Sequence, residues 1–348
     1  MAPAPGVVIG RKGTLGSVFY LDEPYWPHDT TLWVKDFKGN HPRFCYYLLK
    51  SMELAKYDVG AANPTLNRNH IHPLQVRRPP IWAQQRIASI LSAYDDLIEV
   101  NRRRIAVLEE MARRLFEEWF VHFRFPGSEH ERGQPGSLPS GWIEVPLAEV
   151  CDRITDGAHH SPPGVSSGCM MASVKDMREW GFDLSGCRRI VQADFSELVR
   201  MGCKPQVGDI LIAKDGANLN KHTFLVTADL PVVLLSSIAI IRPKAALERE
   251  FLVALLKSEN TSAAIKSMRS GAAIPRIVLK DFKRLPILLP SKDVRQRFEA
   301  SVAPLHGMCR VLGQVNDNLI NQRNALLPKL ISGELPVAGA EQELEALA

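Results

Sequence analysis

No stretch of this sequence stays apolar for long. The longest such run, Leu230 to Ile241, is broken by Pro231, Ser236 and Ser237, and it falls short of the roughly 18 residues a membrane span requires. It reads as a buried strand. The amino terminus, Met1 to Gly10, has neither a basic segment nor a continuous apolar core, so no secretory signal is visible and a cytoplasmic location is expected. The cysteines, 6 in all, include no C-x-x-C pair, and a chain of 348 residues does not need disulfide staples to hold a core. Reduced thiols are expected. Motifs of catalysis are missing as well. There is no nuclease carboxylate cluster, nucleophile elbow, dinucleotide fingerprint or phosphate loop. Asn63-Pro64-Thr65 is not the Asn-Pro-Pro-aromatic motif of amino-methyltransferases. Catalysis has no visible home.

What is present is an ordinary globular composition, 45% hydrophobic and 23% charged, enough chain for two or three domains. The formal net charge of +5 is compatible with an anionic partner. Lys and Arg outnumber Asp and Glu over residues 1–80 and again over 141–290, while the rest of the chain is slightly acidic. The positive excess sits in the two segments that read as globular.

An internal repeat organises the chain. Gly60-Ala61-Ala62-Asn63-Pro64 recurs as Gly271-Ala272-Ala273-Ile274-Pro275, and the same register carries Leu74 onto Leu285, Pro79 onto Pro290, Gln85 onto Gln296 and Arg86 onto Arg297. With small indels upstream, Phe44 to Ser51 matches Phe251 to Ser258, and Ile9 to Gly13 matches Ile212 to Gly216. Each copy reads as strands, a short helix ending in Lys-Ser, a Gly-Ala-Ala-x-Pro loop, an apolar strand closed by Pro, and a long helix. The copies differ in length. Residues 142–211 of the second face only residues 1–8 of the first, more than loop variation explains, so the first globular unit is expected to be truncated at its amino end. Phe125 to Gly141, rich in Gly, Pro and Ser, is expected to be the linker.

In the central helix Ile87, Leu91, Tyr94, Ile98, Asn101, Ile105, Leu108, Ala112, Leu115 and Trp119 alternate in steps of four and three, the spacing of a coiled-coil seam. A seam Asn must find a polar partner and so disfavours other registers; the alternative is an Asn facing solvent. Phe298, Val302, Leu305, Cys309, Leu312, Asn316, Leu319, Leu326 and Leu330 keep the same spacing less cleanly, and Pro304 and Pro328 are expected to kink that helix. At ~1.5 Å per residue the central helix extends on the order of 50 Å. An antiparallel pair would act as a spacer with a globular unit near each end, suited to half-sites about one turn of duplex, roughly 34 Å, apart. The alternative is a plain core or homodimer seam.

Several loops carry donors suited to nucleic acid. Gly10-Arg11-Lys12-Gly13-Thr14 places two cations and a hydroxyl in a glycine-rich turn whose amides can approach phosphate. Its counterpart holds Lys214, Asn218, Asn220 and Lys221, side chains that pair with base edges; the alternative for it is a plain hairpin loop. Asn67 and Arg68 match the loop of Arg269 and Arg276, where a shared structural role is as open as a shared contact. His159 and His160 sit among turn formers with Cys169 nearby. Their spacing fits no zinc pattern, so no metal is expected, and both are taken as candidate DNA contacts.

Taken in order, Gly10 to Thr14, Gln84-Gln85-Arg86-Ile87, Asn101 to Phe120, Leu138 to Trp142 and Leu326 to Leu335 resemble the DNA-specificity (S) subunits of type I restriction-modification systems over nearly the whole chain. The resemblance implies an α+β protein with two target recognition domains, the first incomplete, separated by two long antiparallel coiled-coil helices. The expected segments are a partial first recognition domain over 1–80, a spacer helix over 81–125, a linker over 126–140, a second recognition domain over 141–290, a spacer helix over 291–335 and a disordered tail over 336–348. It further implies a noncatalytic subunit that reads a bipartite double-stranded DNA target and docks two methyltransferase subunits on its helices. S-adenosylmethionine, ATP and Mg would then belong to those partners and to a restriction/translocase subunit, with no membrane involved. Substitution of Lys214, Asn218 or Lys221 is expected to alter specificity, and Leu108→Asp to release the partner. The competing readings are a coiled-coil scaffold that never touches DNA and a degenerate remnant without recognition.

Overall fold

The computed structural model describes residues 1–58, 64–130, 138–216, 221–268 and 276–337. It divides into two compact units, Met1–Asn101 with Val315–Ala348, and Arg102–Gln314. Asn218, Asn220 and Arg269, together with most of both Gly-Ala-Ala-x-Pro loops and the expected tail beyond residue 337, lie outside the described residues.

The first unit opens with strands β1 (Gly6–Gly10), β2 (Val18–Leu21) and β3 (Thr31–Trp33), an antiparallel sheet with β1 in the middle. Helices α1 (Pro42–Ser51) and α2 (Arg68–Ile71) follow. Proline stands at the start of α1, where its missing N–H costs nothing. Helix α3 (Ile81–Phe116) then begins, and its last turn widens into a π-helical turn, Glu117–Val121. Phe44 and Tyr47 of α1 pack with Ile87, Leu91 and Tyr94 of α3 and with Leu326, Leu327 and Leu330 from the end of the chain.

The second unit carries more strands. These are β4 (Ile143–Pro146), β5 (Cys151–Asp156), β6 (Cys169–Ala172), β7 (Met177–Arg178), β8 (Gly181–Phe182) and β9 (Arg188–Ile190), then helix α4 (Gln192–Arg200). Strands β10 (Ile210–Ala213), β11 (Thr223–Leu225), β12 (Val232–Leu234) and β13 (Ile238–Pro243) follow, with helices α5 (Arg249–Lys257), α6 (Glu259–Ser267) and α7 (Leu279–Arg284). Strand β14 (Pro286–Leu289) leads into helix α8 (Lys292–Ser332). The central sheet runs β11-β10-β13-β5 and a second sheet runs β12-β6-β9. One face of the central sheet joins a core with Phe251, Phe298, Phe116, Trp119 and Phe120; the other packs Leu211, Phe224 and Ile240 with residues of the second sheet.

The repeat seen in the sequence is a repeat of structure. Helices α3 and α8 start at Ile81 and Lys292, positions that share the register carrying Gly60 onto Gly271. Leu66 N–H donates to the Arg11 carbonyl and Ile277 N–H donates to the Lys214 carbonyl, both at 3.0 Å. Gln84 donates to the Pro79 carbonyl, and Arg295, its counterpart, to that of Pro290. The two sheets differ in cover. In the second unit the row Phe224, Leu211 and Ile240 is buried, whereas the matching row Phe19, Val8 and Trp33 leaves Phe19 46% and Trp33 38% exposed. Among the described residues the first unit has no second sheet on that face.

The long helices pair antiparallel. In the first unit Asp95 meets Arg323, and Asn101 Nδ2 donates to Asn316 Oδ1 at 3.1 Å. In the second, Ile105 meets Cys309, and Phe116 and Trp119 meet Phe298. Numbers rise along one helix as they fall along the other. Ile87, Leu91, Ile98, Trp119, Phe298, Leu312 and Leu326 are buried; Ile105, Leu108, Leu115, Leu305 and Leu319 are half-buried. Pro304 and Pro328 do not interrupt α8. Both prolines, and the residues Ala300 and Asn324 whose carbonyls lose a partner to them, are exposed, so water can take the place of each missing helix hydrogen bond. The six cysteines are free thiols. Burial pushes Cys151 and Cys309 up to about 12, and Cys45 and Cys187 up to about 11, which leaves little reactive thiolate at neutral pH.

Candidate nucleic-acid interface

The first unit contains a groove of about 1030 Å³ whose lining includes Arg11, Trp33, Lys35, Lys38, Asn67, Arg68 and His72. Its walls follow from the local fold. Strand β1 ends at Gly10, and the chain turns back through Gly13 and Gly16, both at positive φ, a conformation glycine adopts without a Cβ clash. The Leu66 bond to the Arg11 carbonyl then brings the 66–68 loop alongside. Asn67 caps α2, its Oδ1 accepting the Asn69 N–H at 3.0 Å. That leaves its amide nitrogen as a donor. Lys12 and Thr14 stand exposed on the turn.

The groove is cationic. Arg11, Lys35 and Arg68 form no ion pair with a described residue. Lys38 is matched by Asp36, 2.9 Å away, and its hydrogen bonds, the backbone one first, hold the Asp36 carboxyl below the usual range. Arg11, Asn67 and Arg68 are therefore gathered in one place. Lys35, Lys38, Trp33 and His72 were missed by sequence reasoning. Trp33, Lys35 and Lys38 lie outside the repeated segments, where the only signal was a Lys-Asp-Phe-Lys run after an apolar strand.

In the second unit the candidates collect where β5 and β10 end. Lys214, 6% exposed, lies 3.3 Å from Asp156 and 3.4 Å from Asp215. Its ammonium is held inside the domain. His159 Nε2 is 3.1 Å from the other Asp156 oxygen, with its own ring exposed. Arg276 stands across a backbone bridge from Asp215 and is exposed. Lys221 is exposed just ahead of β11, and His160 is exposed beside His159. A Cβ at Gly157 would fall 2.1 Å from the Leu234 carbonyl oxygen, so this loop needs glycine to lie against β12. His159, Lys214 and Arg276 are thus brought together; what faces outward is His159, His160, Lys221 and Arg276.

The long helices also carry apolar side chains outside the seam. Leu97, Val100, Val107 and Met111 on α3, and Met308, Val311 and Val315 on α8, are exposed, again in steps of three, four or their sum. Among the described residues no helix is long and apolar enough to cross a membrane, and no cluster of His, Cys, Asp and Glu could hold a metal ion.

Comparison with known proteins agrees with this geometry. The family profile of the type I restriction modification DNA specificity domain matches residues 2–110. The specificity subunit of the MjaIX type I restriction enzyme from Methanocaldococcus jannaschii is 25% identical over 348 residues, covering 96% of this chain and 78% of that protein. The HindI specificity subunit from Haemophilus influenzae is 22% identical, covering 84% and 77%. The crystal structure of a type I S subunit from M. genitalium superposes with a TM-score of 0.56 at 17% identity, over 95% of this chain and 84% of that one, and so shares its fold. Residues 2–110 match the type I DNA specificity domain, and nearly the whole chain is similar to specificity subunits of type I restriction enzymes.

Proposed function

We propose that this chain is the sequence-reading subunit of a type I restriction-modification complex, recognising a bipartite double-stranded DNA target with one globular unit per half-site. The observation that carries this reading is the cationic groove of Arg11, Lys35, Asn67 and Arg68. Unpaired Arg and Lys attract and position phosphates, whereas Asn and Arg can pair with base edges. The exposed His159, His160, Lys221 and Arg276 are the corresponding candidates in the second unit.

The exposed apolar stripes of α3 and α8 support docking of two methyltransferase subunits on the helices. Seam residues such as Ile98 and Leu312 are buried and hold the helices to each other, so Val107 and Met111, 59% and 51% exposed, serve docking better than the half-buried Leu108. S-adenosylmethionine, ATP and Mg belong on this reading to the partners, with the restriction/translocase subunit joining through the complex in the cytoplasm. This chain contributes recognition and assembly, not chemistry.

The test is methylome mapping in a host that makes this chain with its methyltransferase partner, joined to competition gel shifts with the purified complex. A single split methylated sequence, retarded in preference to competitor DNA, is expected. Binding indifferent to sequence ends the proposal. Val107→Asp with Met111→Asp is expected to release the methyltransferase while the chain stays folded.

A further inference from the structure

The outer part of the second unit, built on the sheet β12-β6-β9, is tied back to the long helices at the tip of the β7–β8 hairpin. Trp180 at that tip donates its indole N–H to Glu109 Oε1 of α3 at 2.7 Å. Its ring lies 5.0 Å from the His306 ring of α8, and Lys257 of α5 stands 4.1 Å above it. Lys257 also pairs with Glu179, and Glu179 reaches His222 Nδ1 at 3.4 Å. His222 is the neighbour of Lys221 and leads into strand β11, which pairs with β10. One hairpin tip thus joins α3, α5 and α8 to the loop that offers Lys221.

Packing leaves one side of this tip open. A cavity of about 390 Å³ opens beside it, lined by Trp180, Glu179, Glu109, Phe116, Lys257 and His306. With space on one side of the ring, its position is set by directional contacts: the indole hydrogen bond and the cation over the ring. Such contacts fix geometry more than they contribute energy. Trp180 and Glu109 play no part in the DNA-facing set, and nothing in that set accounts for an indole held against a helix carboxylate.

We propose that Trp180, through Glu109, is a positioning residue that orients the base-reading loops of the second unit on the helix pair. The proposal rests on the reading of this chain as a bipartite DNA-recognition subunit. Its effect is on discrimination at the second half-site rather than on phosphate affinity, because a loop that tilts still meets the backbone but misplaces donors against base edges.

The test uses the full chain assembled with its methyltransferase partner and duplexes in which each half-site is changed one base pair at a time. Trp180→Phe keeps the ring over which Lys257 sits and loses the N–H bond; Glu109→Leu removes the acceptor; Glu109→Gln keeps one. Discrimination at the second half-site is expected to fall about ten-fold in the first two and to stay at the wild-type level in Glu109→Gln. Discrimination at the first half-site and the salt dependence of binding should be unchanged throughout. Wild-type discrimination in Trp180→Phe and Glu109→Leu, or an equal loss at both half-sites, overturns the proposal. A wild-type complex that reads no split sequence overturns the functional reading instead, so the two failures are told apart.

Discussion

The Glu250 side chain is 5% exposed and accepts hydrogen bonds from His306 Nδ1 and Arg310, at 2.8 and 2.7 Å. Burial alone would raise its carboxyl, but the bonds from His306 and Arg310 hold it below its ordinary value of 4.5. A carboxyl depressed in the folded state contributes stability that is complete above the unfolded value and lost as pH falls through the folded one. Glu109 and Glu299, raised chiefly by burial, work in the opposite direction. Comparing the urea midpoint of the chain with that of Glu250→Gln between pH 7 and pH 3 separates them. The wild type is expected to lose stability relative to the variant only below about pH 4.5; a constant difference across the range would sink this assignment. Chemistry at single residues was the least legible part of the sequence. Lys214 looked like a base-reading cation in a polar loop, yet it is buried against Asp156 and Asp215. Sequence shows that a residue is charged, but not whether a carboxylate remote in the chain stands beside it. Lys35 is the converse case, a lysine in an unremarkable run that the fold sets in the groove with Arg11 and Arg68.

Helices were legible because periodicity is local. The four-three alternation from Ile87 to Trp119 marks a stripe that is buried or half-buried throughout, and the demand that Asn101 find a polar partner is met by Asn316, which also approaches the Ile98 carbonyl at 3.4 Å. The π-helical turn over Glu117–Val121 was not legible, since the rings of Trp119 and Phe120 that close on Phe298 come together only when α8 packs there. Both asparagines are buried, at 2% and 7% exposure. Asn101→Leu alone leaves Asn316 without its side-chain partner and is expected to cost about 1–3 kcal/mol. Adding Asn316→Leu removes the orphan and should restore or exceed wild-type stability. The double variant is also expected to form higher oligomers, because a wholly apolar seam no longer penalises other pairings. Urea melts and sedimentation velocity check both parts; a single variant as stable as the double would show that the asparagines do not depend on each other.

For the molecule as a whole, the repeat carried most of what the sequence could tell. It located both long helices, because the register that aligns Gly60 with Gly271 also aligns the starts of α3 and α8. It could not reveal that Phe19 and Trp33 stay exposed where Phe224 and Ile240 are buried, a difference made by a second sheet folded from segments far apart in the chain. Charge at this scale has a measurable consequence. A net charge of +5 is too small to bind DNA by itself, so affinity must come from where the cations stand, and Arg11, Lys35 and Arg68 share one groove. Each phosphate contact contributes about 0.9 to the slope of log affinity against log salt. Lys35→Glu with Arg68→Glu should therefore lower that slope by about two and weaken binding to every duplex alike, without changing which bases the second unit prefers. A scaffold that never touches DNA predicts no such change. If the double variant kept the wild-type slope, the phosphate contacts would have to be sought outside this groove, among the exposed cations of the second unit.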